Sequence, residues 1–377
     1  MTSVSFPSNL VRIEFPSGLV RIEGAQDLER TAAGIRPRRL PAWTRRYDAG
    51  LELAVSMAAG VRLRLRTAAR EIALGVHVRV MAGSPASFDL VLDGSVLARE
   101  TAVHGDTFVV PSSTLIPGAA ETIRFTGLPA GEKTLEIWLP HTAVVELRTI
   151  SASDVFLPPE PAGSPRWIHY GSSISHGMQA PAPTLTWPAI AALRTGTSLV
   201  DLGFAGNAML DPDVARTIAE IPADLITLKI GANLVITAAM LERTFVPAVH
   251  NFLDLIRAGH PTTPIALISP ISLPALETQP GPARIDPTTG SIRGSAVPGA
   301  LSMTRVRELL AGITAVRADP ALRLVDGREL LGPSDVDLLA DGIHPDAAGH
   351  LLIGDRATKL LLGGGPVPGG VEGGRWA

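Results

Sequence analysis

The chain has 377 residues, 46% of them hydrophobic, with a formal net charge of −3 and no cysteine. That supply of apolar side chains is enough for a sizeable core and excludes global disorder, and the length favours two domains over one. The absence of cysteine excludes disulfides, thiolate nucleophiles and cysteine-held zinc, and the mild negative charge is not that of a nucleic-acid or polybasic membrane-surface binder.

The opening residues Met1–Pro7 have neither the basic nor the apolar part of a secretory signal. No stretch nears the ~18 apolar residues of a spanning helix. The expectation is a cytoplasmic protein without a membrane span. Leu10–Glu14 recurs as Leu19–Glu23, which suggests a hairpin-like pair. Arg36, Arg38, Arg39, Arg45 and Arg46 form a local basic stretch, read as a solvated loop or an interdomain contact. Up to about residue 155 the apolar period is two, as in Val61–Arg66, Val76–Val80, Phe88–Leu92, Thr122–Phe125, Thr134–Leu139 and Ala143–Leu147. Gly- and Pro-containing turns separate these runs, a pattern of short antiparallel strands in a β-sandwich or jelly roll over residues 1–160. Trp43, Tyr47 and Trp138 are its obvious stacking surfaces for a glycan, with Trp138 better suited to a core.

After the proline-rich connector Pro158–Pro165 the rhythm changes. Buried-strand runs at Trp167–Tyr170, Leu199–Gly203, Leu225–Ile230, Pro264–Ser269 and Leu322–Asp326 alternate with helical segments at 188–193, 211–221, 239–258, 301–318 and 345–362. Alternation of this kind predicts a parallel sheet covered on both faces, so residues 161–377 are expected to form a three-layer α/β/α domain. Ligands in such sheets bind outside the carboxyl ends of the strands.

Four segments fall there. Gly171-Ser172-Ser173 closes the first strand, Gly203–Asn207 the second and Gly231-Ala232-Asn233-Leu234 the third, while Asp341-Gly342-Ile343-His344 precedes the last helix. Pro345 suits the first helical position, leaving His344 at the helix entrance. The three-residue offset lets Asp341 turn back onto one imidazole nitrogen while the other faces the crevice, as a serine nucleophile requires of its base. His169 reads as a satisfied core residue, and Pro270–Gly299 is long enough to border a site. The glycines of the second segment lack the rest of a nucleotide-binding fingerprint.

Together the four segments resemble the blocks of the SGNH (GDSL-like) hydrolase superfamily, over about residues 165–365. The resemblance implies Ser173 as nucleophile, His344 as base and Asp341 as its orienting acid. It also implies an oxyanion hole of the Ser173 and Gly206 N–H groups and the Asn233 amide. Ser172 and Leu234 depart from the family pattern, which has aspartate at both positions. His176 and Asn207 are expected to line the substrate crevice. A β-sandwich before such a domain is similar to carbohydrate esterases of the acetyl-xylan-esterase kind. The implied activity is hydrolysis of short acyl or acetyl esters of a small molecule or glycan, with no metal or other cofactor. Acyl transfer, sugar O-deacetylation by the same site and a catalytically silent binding protein are the alternatives, and self-association stays open.

Overall fold

The computed structural model describes residues 10–45, 48–109, 114–160, 163–286, 288–295 and 297–363. Tyr47, Arg46, Met1–Pro7 and part of the connector lie outside the described residues. Among the described residues no helix is long and apolar enough to cross a membrane.

The N-terminal region is β-rich and built of an eight-stranded and a six-stranded sheet. The alternating runs form strands, among them Arg62–Thr67, Glu71–Met81, Ala86–Leu92, Glu121–Thr126, Lys133–Trp138 and Val144–Ala152. Period-two patterning turns one face of each strand inward, so Leu63, Leu65 and Leu135 from one sheet and Leu74, Val76 and Leu147 from the other share one apolar core. One expectation fails here. The repeated segments do not pair with each other: Val11–Glu14 runs antiparallel to Val144–Ala152, and Val20–Glu23 antiparallel to Arg62–Thr67 in the other sheet. Phe15, in the link between them, is buried in the shared core, so the chain crosses between sheets where a hairpin would fold back. The pairing is otherwise antiparallel as expected, with one parallel contact among the described residues. After the hairpin of Ala86–Leu92 and Ser95–Ala102, the chain returns to the first sheet and Asp106–Val109 lies parallel to Glu71–Met81.

The C-terminal region is a five-stranded, all-parallel sheet in the order Ser198–Gly203, Arg166–Gly171, Leu225–Lys229, Ile265–Ile268, Leu322–Val325. Its central strands are buried almost throughout, as the continuous apolar runs require. Trp187–Thr195 packs with Ala347–Leu362, and Pro212–Glu220 with Glu242–Gly259, which in turn meets Met303–Arg317. The last helix starts at Ala347 and not at Pro345, because Asp346 is the N-cap and accepts from Gly349 N–H at 2.8 Å. Asp211 occupies the N-cap position before Pro212–Glu220, but its side chain makes no capping bond.

Ser198–Gly203 is an edge strand, with outward carbonyls left over by the sheet. The N-terminal region supplies the missing donors. Arg62 Nη1 reaches Leu199 O at 3.0 Å, and Arg39 Nη1 reaches Asp201 O at 3.2 Å and Gly203 O at 2.6 Å. These are residues i, i+2 and i+4 of one strand face, so the edge is capped as an additional strand would cap it. Of the two readings of the basic stretch, Arg39 realises the interdomain contact. The unanticipated helix Ala49–Ser56 works in the same place: Leu51, Ala54 and Val55 are buried in the core of the α/β region.

Candidate active site

The carboxyl end of the central strand Arg166–Gly171 leads straight into a one-turn helix, Ser173–His176, which carries Ser173 in its first turn, where N–H groups have no intrahelical acceptor. Gly177 ends that helix with a left-handed backbone, φ +94°. Ser173 Oγ lies 2.8 Å from His344 Nε2, and His344 Nδ1 lies 2.7 Å from Asp341 Oδ2. The other oxygen of Asp341 accepts from the backbone N–H groups of Ile343, at 3.0 Å, and His344, at 2.7 Å. Only one tautomer satisfies this chain. A carboxylate accepts but cannot donate, so Nδ1 carries the proton and Nε2 is a bare acceptor for the Ser173 hydroxyl. Partial burial works against the Asp341 charge, but the bonds from the His344 side chain and backbone outweigh it, and its pKa lies below the ordinary carboxylate value.

His344 is held by the helix that follows it. His350, three residues into Ala347–Leu362, donates from Nε2 to Met178 O at 3.0 Å and accepts Trp187 N–H on Nδ1 at 3.3 Å. Met178 follows the helix Ser173–His176, so His350 ties the segment bearing His344 to the segment bearing Ser173. Ile292, in the small hairpin Arg284–Ile285/Ile292–Arg293, stands 3.6 Å from the position a Cβ on Gly342 would take. The long segment Pro270–Gly299 thus meets the Asp341–His344 turn.

Gly206 and Asn233 come to the same end of the sheet. Asn207 N–H closes a tight turn on Phe204 O at 3.0 Å, and Gly206 takes its third position with φ +71°. Asn233 is buried in the first turn of Ala232–Thr237, and its Oδ1 accepts Ala208 N–H at 3.1 Å. With the oxygen so engaged, the amide orientation is fixed and Nδ2 is the end left to donate.

His176, expected at the crevice, is placed differently. His176 is wholly buried: Nε2 donates to His141 O at 2.8 Å, and Nδ1 faces Arg39 Nη2 at 3.3 Å and Ala205 N at 3.4 Å. Its closeness to Ser173 in sequence does not bring it to the crevice, because both ring nitrogens are engaged by buried partners. Asn207 gives one Nδ2–H to Ala205 O at 2.7 Å, within its own turn. His169 is a core residue, bonded to Thr227 Oγ1 and Ser175 Oγ at 2.7 Å each, which removes Ser175 from the surface. Trp138 is buried and donates to Glu136 at 3.0 Å, whereas Trp43 is exposed. Sequence reasoning missed the buried Arg39 beside His176: a guanidinium that spans two regions has no local pattern to betray it.

Residues 165–278 match the model of the GDSL-like Lipase/Acylhydrolase family, and residues 20–148 match that of the SsfX3 N-terminal domain. The chain carries a GDSL-like lipase/acylhydrolase domain. Among solved structures it is similar to the salicylyl-acyltransferase SsfX3 from a tetracycline biosynthetic pathway, with a TM-score of 0.79 and 25% identity over 93% of this chain and 96% of that one. It also shares its fold with a family two carbohydrate esterase from Clostridium thermocellum, at TM-score 0.55 and 15% identity over 80% of this chain and 92% of the esterase. An acetyl xylan esterase from Butyrivibrio proteoclasticus aligns at TM-score 0.56 and 12% identity, over 94% of this chain and 98% of its own. A search of curated proteins found no match.

Proposed function

We propose that the GDSL-like domain is a serine acyl hydrolase acting on carboxylic esters with short acyl groups. The observation that carries the reading is the continuous hydrogen-bonded line from Ser173 Oγ through His344 to Asp341. In this mechanism Ser173 Oγ attacks the ester carbonyl as His344 Nε2 takes its proton. Asp341 holds the imidazole in the tautomer that can accept, and stabilises the imidazolium. The tetrahedral oxyanion is met by Ser173 N–H, Gly206 N–H and Asn233 Nδ2. His344 then gives its proton to the departing alcohol, and water, activated by the same base, releases the acid from Ser173. Residues 1–160 and 161–377 are the two domains of this reading, the first serving the second through the capped edge strand.

The experiment is fluorophosphonate labelling with peptide mapping, run beside turnover of p-nitrophenyl acetate. The wild type should be labelled at Ser173, and Ser173→Ala should lose both label and turnover. Label retained in that variant would place the nucleophile elsewhere.

Acyl transfer is the second reading, favoured by the likeness to SsfX3 at 25% identity over nearly the whole chain. In transfer an acceptor alcohol or amine replaces water at the second step. Turnover that appears only when an acceptor is added selects this reading over hydrolysis. Acetylated sugars belong in the same panel, because the esterase neighbours share the fold.

A further inference from the structure

The two backbone donors assigned to the oxyanion come from separate pieces of chain, the helix Ser173–His176 and the turn Phe204–Asn207. What fixes one against the other is therefore part of the catalytic geometry. The pieces touch directly: a Cβ on Gly203 would sit 2.3 Å from His176 N, so the helix end rests on the strand end with no room for a side chain, and Ala205 N–H reaches His176 Nδ1 at 3.4 Å. Phe204 N–H also donates to Gly171 O at 2.8 Å.

Beyond these contacts both pieces are gripped by a side chain from the N-terminal region. Arg39 is wholly buried, and each of its N–H groups has a partner. Nε donates to Met57 O at 2.8 Å and Nη2 to Ala54 O, both at the end of the helix Ala49–Ser56. Nη1 donates to Asp201 O and Gly203 O, the last carbonyls before the Gly206 turn. Nη2 also faces Nδ1 of His176, the last residue of the nucleophile helix. The guanidinium lies 5.0 Å from the centre of the Phe204 ring, at the start of the turn. His176 completes the connection, because its other nitrogen donates to His141 O, again in the N-terminal region. Its tautomer is set: Nε2 carries the proton towards the carbonyl, and Nδ1 accepts from the arginine.

We propose that Arg39 is a positioning residue for the oxyanion-binding backbone, holding the Gly206 turn in register with the Ser173 helix through Gly203 and His176. The inference rests on the serine acyl-hydrolase reading. It makes the β-rich region a working part of the catalytic centre, not an accessory that happens to be attached. A planar guanidinium suits the task because its five donors are spread over three nitrogens in a rigid fork, whereas the three donors of a lysine ammonium radiate from one atom. Burial holds the Arg39 pKa down at about 10, with Asp201 acting the other way, so the group stays charged at neutral pH.

The test compares Arg39→Lys with the wild type in the full chain, measuring kcat, KM, fluorophosphonate labelling rate and Tm. Misplaced donors lower kcat by roughly 10- to 100-fold and leave KM within about twofold, because the lost interactions form only in the transition state. The labelling rate falls in parallel, since the phosphonyl oxygen uses the same donors. A second pair, His176→Leu and His176→Gln, reads the same connection. Glutamine keeps an acceptor for Arg39 and a donor for His141 O, so it should recover most of the kcat that leucine loses. A folded Arg39→Lys protein with wild-type kcat and labelling rate overturns the proposal. If Arg39→Lys does not fold, equal kcat in the two His176 variants overturns it. A wild type that is not labelled at Ser173 rejects the serine reading itself, a different outcome from either of these.

Discussion

His344 Nε2 stands 2.8 Å from Ser173 Oγ although 171 positions of sequence separate the two residues. The approach depends on two features on either side of it, the cap at Asp346 that starts the last helix and the His350 bond to Met178 O. Asp341 then decides what the imidazole can do. Its Oδ1 holds the turn through two backbone N–H groups, while its Oδ2 holds the ring. Asp341→Asn separates these tasks. An asparagine oxygen can still accept from the turn, but its NH2 then faces Nδ1 and drives the proton to Nε2, where it blocks acceptance from Ser173. The expected result is kcat lower by roughly 10²- to 10⁴-fold with Tm little changed. Steady-state kinetics with a p-nitrophenyl ester checks it, and activity near that of the wild type would remove Asp341 from the mechanism.

Asn233 can be divided in the same way. Asn233→Ala should lower kcat by roughly 10²- to 10³-fold with KM nearly unchanged, the usual cost of one oxyanion donor. Alanine also abandons the Ala208 N–H, so Asn233→Asp is the sharper variant. It keeps an acceptor for Ala208 but puts a carboxylate where the donor stood. An aspartate variant as slow as the alanine one assigns the effect to Nδ2. Recovery with aspartate would assign it to the Ala208 bond.

Acid should unfold this protein early. Burial holds the pKa of His169 at about 3, those of His141 and His350 at about 4, and that of His176 well below 6.5. These are bases whose folded pKa is depressed, so the unfolded chain binds more protons below pH 6.5. Stability therefore rises with pH through that window and is lost as pH falls from about 6.5 towards 4. Four such groups set a limiting slope of about 5 kcal/mol per pH unit. Asp201 acts in the opposite sense: burial raises its pKa to about 6, against the pull of Arg39, and this recovers part of the loss. Urea unfolding at steps from pH 7 to 4.5 should show the midpoint falling steeply below pH 6. A flat profile would mean that these imidazoles are solvated.

Lys229 gives the complementary case at high pH. Its ammonium is buried on the central sheet, with no hydrogen-bond partner for Nζ among the described residues. Burial, with repulsion from Arg307, lowers its pKa from 10.5 to about 8. The unfolded chain holds that proton more tightly, so the penalty is fully present below pH 8 and is relieved between pH 8 and 10.5. Lys229→Met should stabilise the protein at pH 7 by a few kcal/mol, seen as a higher Tm, and the gain should shrink above pH 9. A lower Tm for the methionine variant would show that the amine is satisfied.

The sequence made the parallel sheet legible because five apolar strands, interrupted by helical spacing, admit few other arrangements. It made the four site segments legible because chemistry restricts residue type and the fold restricts order. The readings that failed share a physical cause. Two identical Val-Arg-Ile-Glu strands carry no local signal for which sheet each will join, and a buried Phe15 between them decided it. His176 is polar and three residues from Ser173, yet partners far away in sequence, Arg39 and His141 O, hold it inside. Arg39 sits in a run of like charges of the kind that is usually solvated, and its burial needs partners such as the carbonyls of a strand more than 160 positions away. Long-range partners of this sort are invisible to periodicity.

The arginines along Ser198–Gly203 have a consequence for anyone who would take the chain apart. Cut near residue 160, the α/β half would keep its five strands but expose the carbonyls of Leu199, Asp201 and Gly203 as an adhesive margin, ready to join the margin of another copy. The excised half should precipitate or dimerise, and a foreign N-terminal half should rescue it only if it brings arginines to the same places. The two halves are interchangeable between relatives only as a matched set.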